Sequence, residues 1–349
     1  KIRTVPTITI NSQQVLRDAW SNYQRIKELG LAGHFDFVEV TYNDIFEEIR
    51  EQWRVNAAAA AGALSGTGLE DRAAQRLVAL ANAASGDDFA RTHVLDVVMY
   101  RFMRQISERV TQSVRRQILD RLHSFAQNDM PSWSILGHSL GTAVVCDTLH
   151  AMFSQVVDGA TLGERFKPDF VFMVANTSHL LWNKGGDCYA SLVRPHSVDT
   201  LGMCWKYCDF SHELDPVPAV DAFDPPASWF PDGIKTSERS TFYADVKIRA
   251  ADTQYLNVHG LNHYLSHPSV HVGIVNTLLG YEAATAAEAA TVLANWRKKS
   301  LIQTELAKAK QQLLQSKISG QWTWQKVIDA IAQFRSLVLK QPKSEEGER

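Results

Sequence analysis

Hydrophobic and polar positions along the first 43 residues switch between the spacing of a strand and that of a helix. Residues 5–10 alternate as a first strand, and residues 34–42 alternate as a second one. Between them, residues 12–29 carry apolar side chains on one side of a predicted helix: Val15, Leu16, Ala19, Tyr23 and Ile26. A strand, helix, strand order this early favours a parallel sheet.

The pattern is helical from residue 44 to residue 128, where no strand is predicted. Apolar residues recur every three to four positions over residues 94–122, which predicts a long helix or a bent pair. A helical excursion between early and later strands is where a cap over a substrate site would be inserted. We therefore predict a helical cap or lid over residues 44–128.

Strand-like segments return after residue 132 and alternate with helices. Strands are predicted over residues 132–136, 168–175, 203–210 and 241–248, of which 168–175 is apolar enough to be buried, and a helix is predicted over residues 269–279. The expected fold is α/β, with a mostly parallel sheet flanked by helices. Its predicted core comprises residues 1–43 and 129–280, and residues 281–349 form a C-terminal helical extension.

Composition excludes some classes of function. A net charge of −2 argues against a broad nucleic-acid-binding surface, which needs an excess of Lys and Arg. The four cysteines lack Cys-x-x-Cys spacing, so we expect buried free thiols and no metal site: Cys146, Cys188, Cys204 and Cys208.

No apolar run reaches the length of about 20 residues that crosses a bilayer, and no signal-peptide core is visible. Cytoplasmic residence is therefore expected. A lost targeting segment stays open, since the first residue is Lys1 rather than Met. The sequence leaves the oligomeric state open.

The segment that carries the chemistry is Gly137-His138-Ser139-Leu140-Gly141. It lies between a predicted strand and an amphipathic helix, which is the context of a nucleophile elbow. Both glycines are explained by the close approach of neighbouring backbone at such a turn. The helix that follows would place the N–H of Leu140 near a reacting carbonyl, as an oxyanion donor.

A serine nucleophile needs a base and an orienting carboxylate. In folds built around a nucleophile elbow, the three residues follow one another along the chain in the order Ser, Asp or Glu, His. Asp215 fits the carboxylate role, because it follows a strand and lies in a Pro-stiffened loop. The alternatives are Asp209, Glu213 and Asp221. His259, in a loop after the last predicted strand, fits the base, with His263 as its alternative.

Three segments resemble the serine lipases and esterases of the α/β-hydrolase superfamily, particularly lipase-like and phospholipase-like members. They are the elbow, Asp215-Pro-Val-Pro218 and the His-x-Leu-x-x-Tyr-Leu run that starts at His259. The similarity covers roughly residues 5–280. It implies a triad of Ser139, Asp215 and His259 that cleaves carboxylic esters through an acyl-enzyme, without metal or organic cofactor. The apolar faces of the helices predicted over residues 44–128 and at the C-terminus suggest a hydrophobic ester or lipid substrate, met in transient contact with a membrane surface.

One departure from that family lies after the first predicted strand. Its members usually carry a His-Gly there, whose loop gives the second oxyanion donor, whereas this chain has Asn11 and Ser12. Either Asn11 and Ser12 substitute for the pair, with Asn11 as the candidate donor, or residues are missing from this stretch, or the oxyanion hole is weakened. Because of this departure, a second hypothesis about the function stays open: a non-catalytic interaction protein on a hydrolase scaffold. A thioesterase or amidase would use the same three residues.

Overall fold

In the part of the chain that the structure describes, six parallel strands form one sheet in the order β2-β1-β3-β4-β5-β6. The structure is a computed structural model, which describes residues 2–4, 10–64, 96, 97, 99–126, 132–154, 166–182, 184–196, 202–254 and 257–298. The strands are β1 (Ile2–Thr4), β2 (Val38–Glu39), β3 (Ser134–His138), β4 (Phe170–Val174), β5 (Lys206–His212) and β6 (Tyr243–Ile248).

Helices connect the strands and cover the sheet. They are α1 (Ile10–Trp20), α2 (Gln24–Glu28), α3 (Asn43–Leu64), α4 (Arg104–Ala126), α5 (Leu140–Ser154), α6 (Ser178–Leu181), α7 (Pro216–Val220), α8 (Leu261–Ser266), α9 (Pro268–Leu279) and α10 (Ala286–Lys298). Short 3₁₀ turns lie at Leu31–His34, Cys188–Ala190, Ala227–Trp229, Thr236–Thr241 and Ala250–Asp252. Parallel strands joined through helices confirm the α/β prediction.

The two faces of the sheet bury different residues of the same strands. On β4, Val171 and Met173 pack in a cluster with α3, α4 and α5, whereas Phe172 and Val174 pack in a second cluster with α1, α8 and α9. Successive side chains of a strand point to opposite faces, so a strand buried on both faces must be apolar throughout. The sheet is therefore the middle of three layers.

The strand order reverses beside β1. The chain runs outward from β1 to β2, returns to β3 on the other side of β1, and then continues outward to β6. In open parallel sheets, ligands bind outside the carboxyl ends of the strands at such a point. Ser139 follows the last residue of β3 and therefore lies at that edge.

The start of the chain differs in detail from the prediction. Ile10 begins α1 rather than ending a strand, and residues 5–9 of the predicted first strand lie outside the described residues. The single helix predicted over residues 12–29 is broken at residues 21–23. Tyr23 has extended backbone there, and its hydroxyl lies 2.8 Å from Nε2 of His271 in α9. This tertiary contact outweighs the helical periodicity of the sequence.

Both described ends of the predicted cap pack against the sheet. Phe46 of α3 and Val110 of α4 lie in the same buried cluster as Val144 of α5 and Val171 of β4. The helix predicted over residues 94–122 is interrupted at Met103, and α4 begins at the next residue. A cap stays a prediction for residues 65–95, which lie outside the described residues, as does the C-terminal extension beyond residue 298.

All four cysteines are buried and free, as predicted. Cys208 lies in β5, but Cys204 precedes that strand and forms an isolated bridge with Pro195. Within the described ranges, every helix is too short or too polar to cross a membrane.

Candidate functional site

The elbow is strained in the way that the two-glycine pattern predicts. Ser139 has a φ of 53°, a left-handed conformation that is costly for a residue with a Cβ. At Gly137, an added Cβ would lie 2.9 Å from Cα of Thr142 and 3.0 Å from the carbonyl oxygen of Gly141. Ser139 therefore stands on a tight turn between β3 and α5.

Two threonines hold this turn and were missed by sequence reasoning. The carbonyl of Ser139 accepts hydrogen bonds from the Thr142 N–H at 2.9 Å, from Thr142 Oγ1 at 2.7 Å and from Thr177 Oγ1 at 2.9 Å. The N–H of Ser139 donates to the carbonyl of Val174 in β4 at 2.9 Å. Several bonds on one peptide keep a strained residue in place. Thr177 follows β4 at the N-cap of α6, 38 positions from Ser139, so local sequence gave no signal for it.

His259 links Ser139 to Asp215. Its Nε2 lies 2.8 Å from Ser139 Oγ, and its Nδ1 lies 2.8 Å from Oδ2 and 3.0 Å from Oδ1 of Asp215. A carboxylate only accepts, so Nδ1 carries the proton and Nε2 can accept the serine hydroxyl. These three residues, the Ser–His–Asp cluster, can therefore pass the proton of Ser139 to His259.

Asp215 is fully buried at the N-cap of α7, where Pro216 occupies the first helical position. Its Oδ1 accepts the N–H of Val217 at 3.0 Å, and its Oδ2 accepts the hydroxyl of Tyr264 at 2.8 Å. Burial favours the neutral acid, but the electrostatic interaction with His259 and the donated hydrogen bonds outweigh it and lower the pKa of the Asp215 carboxyl. The acid is therefore ionised at neutral pH.

The alternative carboxylates have other partners. Asp209 accepts the side-chain amide of Asn176 at 2.9 Å within the sheet, and burial raises its pKa to about 8. Glu213 accepts the N–H of Ala250 at 2.9 Å. Asp221 Oδ2 lies 2.9 Å from Nδ1 of His179.

The alternative base lies beyond the cluster. His263 is buried in α8, with its ring centroid 5.1 Å from that of His212, and burial together with His212 and His267 lowers its pKa to about 3. The geometry thus pairs Ser139 with His259 rather than with His263.

The expected oxyanion donors lie at two helix starts. Leu140 is the first residue of α5, so its N–H has no partner within the helix. Asn11 lies in the first turn of α1, but its side chain is outside the described part. Ser12 Oγ donates to Oδ1 of Asn262 at 2.6 Å, which engages its hydroxyl and places the start of α1 beside α8.

Searches against protein-family models, curated proteins and solved structures find no match for the chain.

A cavity of about 500 Å³ between α3 and α4 is lined by Ile49, Met103, Arg104 and Arg109 among others, and by no member of the Ser–His–Asp cluster. It therefore gives no argument about what the cluster would act on. Among the described residues, no group of histidine, cysteine and acidic side chains could hold a metal ion.

Proposed function

We propose that this protein is a serine hydrolase that cleaves carboxylic esters in two steps. The observation that carries the proposal is the continuous contact from Ser139 Oγ through both ring nitrogens of His259 to the ionised, buried Asp215. A serine hydroxyl is a weak nucleophile that needs an adjacent base, and the base needs an orienting acceptor for its other nitrogen.

In the first step, Ser139 Oγ bonds to the ester carbonyl carbon as its proton passes to His259 Nε2. Asp215 stabilises the resulting imidazolium through Nδ1. The carbon–oxygen bond to the alcohol then breaks, and His259 delivers the proton to the departing oxygen. In the second step, water loses a proton to His259 and attacks the acyl group, and Ser139 recovers its proton as the acid leaves.

Negative charge on the carbonyl oxygen needs preorganised donors. The first is the N–H of Leu140, which starts α5 directly behind the nucleophile. We assign the second to the start of α1, around Asn11, because Ser12 places this turn beside the helix that follows His259. The absent His-Gly makes this donor the least conventional part of the proposal.

The order of the strands supports the finer assignment to the α/β-hydrolase fold. Ser139 follows β3, Asp215 follows β5 and His259 follows β6, and these strands share the carboxyl edge of one parallel sheet. Lipase-like and phospholipase-like substrates come from the sequence resemblance alone. The same three residues would serve a thioesterase or an amidase.

The decisive test compares the wild type, Ser139→Ala and Ser240→Ala, since Ser240 is on an exposed turn. We expect hydrolysis of p-nitrophenyl esters and one fluorophosphonate adduct, seen by intact mass, in the wild type and in Ser240→Ala. Ser139→Ala should lose the adduct and at least about 10³-fold in kcat. Activity across acyl-chain lengths separates an esterase from a lipase.

Adduct formation on Ser139→Ala would assign the nucleophile elsewhere. A folded wild type without turnover or adduct, on esters, thioesters and amides alike, would refute the proposal and favour the interaction protein.

A further inference from the structure

His138 precedes Ser139 in the chain and contacts the backbone of His259, without being part of the Ser–His–Asp cluster. It is the last residue of β3 and is buried. Side chains alternate along the strand, so His138 shares the face of Leu136, opposite to Gly137 and α5. Its Nε2 lies 2.7 Å from the carbonyl oxygen of His259, and the two imidazole centroids are 5.1 Å apart.

The carbonyl of His259 needs a donor from outside its own segment. Helix α8 begins two residues later, and two N–H groups of this helix donate to the carbonyl of Gly260 rather than to that of His259: those of His263 at 3.0 Å and Tyr264 at 3.3 Å. A backbone carbonyl left unpaired in the interior is costly. Since a carbonyl oxygen only accepts, His138 must carry a proton on Nε2 and donate it.

We propose that His138 is a positioning residue, which fixes the backbone of His259 against the nucleophile elbow through this hydrogen bond. The inference rests on the proposed hydrolase function. His138 is joined to Ser139 by one peptide bond, and the bonded carbonyl belongs to the same residue as the imidazole that faces Ser139 Oγ at 2.8 Å. The contact thus closes a small ring of bonds around the reacting pair.

This closed set of bonds explains why residue 138 is a histidine, although an apolar side chain could fill the position. The hydrogen bonds of Asp215 to His259 are made to the imidazole Nδ1 and orient the side chain. His138 restrains the backbone of His259 from the side of the nucleophile. A shift of about 1 Å between reacting groups can reduce the rate about 100-fold, so losing this restraint should affect kcat rather than substrate binding.

The test compares His138→Leu, which removes the donor, with His138→Gln, whose side-chain amide keeps one. The matched control is His271→Leu, because His271 is also buried and hydrogen-bonds a carbonyl, that of Leu265, at 3.0 Å. Each protein is measured for kcat and KM on p-nitrophenyl esters, for fluorophosphonate labelling rate and for melting temperature.

We expect His138→Leu to lose about 10- to 100-fold in kcat and in labelling rate at nearly unchanged KM. His138→Gln should recover to within about 3-fold of the wild type, because its amide can donate to the same carbonyl. His271→Leu should lower the melting temperature while kcat stays close to that of the wild type. In ¹⁵N-histidine NMR spectra, the Nδ1–H signal of His259 should exchange faster with solvent in His138→Leu only.

Equal kcat in His138→Leu and the wild type would overturn the inference, as would a Gln variant as impaired as the Leu variant. A wild type that neither labels nor turns over any ester overturns the proposed function, and this inference with it, before any variant is compared.

Discussion

Asp215 shows how hydrogen-bond donors keep a buried carboxylate charged. It is surrounded by core residues, yet it receives hydrogen bonds from the His259 ring, the Val217 N–H and the Tyr264 hydroxyl. A carboxylate that accepts several donors stays ionised in spite of burial. Tyr264 is the donor whose removal leaves the backbone and the Ser–His–Asp cluster otherwise intact.

We predict that Tyr264→Phe lowers both activity and stability. The Asp215 carboxylate loses one donor, so its pKa should rise toward the ordinary value. Hydrogen bonds to charged groups contribute about 1.5–3 kcal/mol, and the free energy of unfolding should fall by that order. Steady-state kinetics and urea unfolding at neutral pH measure the two effects.

Tyr23→Phe is the matched control, because Tyr23 is also buried and its hydroxyl contacts a ring nitrogen, that of His271, at 2.8 Å. It should lower stability and leave kcat unchanged. If the two variants had the same kcat, the hydroxyl of Tyr264 would have no role in holding Asp215.

At the level of elements, the close contact between β3 and α5 depends on Gly137. The nearest atoms to an added Cβ there are backbone atoms of Thr142 and Gly141, which cannot rotate away as a side chain could. Strand and helix would have to separate to admit even a methyl group.

Gly137→Ala should therefore destabilise the protein by about 1–3 kcal/mol, the usual cost of overpacking, and should slow labelling of Ser139 because the elbow moves. Gly33→Ala provides the control, since Gly33 lies in the 3₁₀ turn Leu31–His34 and an added Cβ has no atom within 4 Å. It should change stability by less than about 0.5 kcal/mol. Similar melting temperatures for the two alanine variants would contradict the close-contact argument.

Elements with a strong local pattern could be predicted from the sequence, and those fixed by distant contacts could not. The glycines and the flanking apolar runs located β3, the elbow and α5; apolar runs located β4 and β5, and alternation located β6. The break near Tyr23 depends on His271, which is 248 residues away in the chain. Likewise, Thr177 and Tyr264 contact residues that are distant in the sequence, and no local pattern indicates those contacts.

On the scale of the whole molecule, buried ionisable groups act on stability in opposite directions. Burial lowers the pKa of His263 and His267 to about 3 and that of His271 to about 4. The unfolded chain binds protons at these sites below about pH 6.5, so acidification lowers stability. Asp209, with a pKa of about 8, opposes them, because the folded state keeps a proton that the unfolded chain releases above about pH 3.9.

The contribution of Asp209 can be isolated with Asp209→Asn. In the wild type this group lowers stability as pH rises from about 4 to about 8, by up to about 1.4 kcal/mol per pH unit. The amide variant lacks that penalty and can still accept the hydrogen bond from Asn176. Its stability relative to the wild type should therefore increase with pH, as measured by urea unfolding at pH 5 and pH 7.5.

Asp232→Asn, on an exposed turn, controls for the loss of one carboxylate. A difference between Asp209→Asn and the wild type that is the same at both pH values would mean that Asp209 is ionised in the folded protein.

The order of the strands in the sheet could not be predicted from the sequence. Periodicity predicts which segments are strands, but pairing depends on how the whole set packs. The start of α1 beside α8 and the position of His263 away from the cluster follow from that packing. Chain order alone left His259 and His263 as alternatives, and the three-dimensional arrangement separates them.

The separation of Ser139 from His259 by 120 positions has a consequence for the protein during its synthesis. Ribosomes add about 5–20 residues per second, so the serine emerges about 6–24 s before the histidine. During that interval the nascent chain contains Ser139 without His259, so the proposed hydrolase would lack its base. Its activity would begin only after β6 has been synthesised.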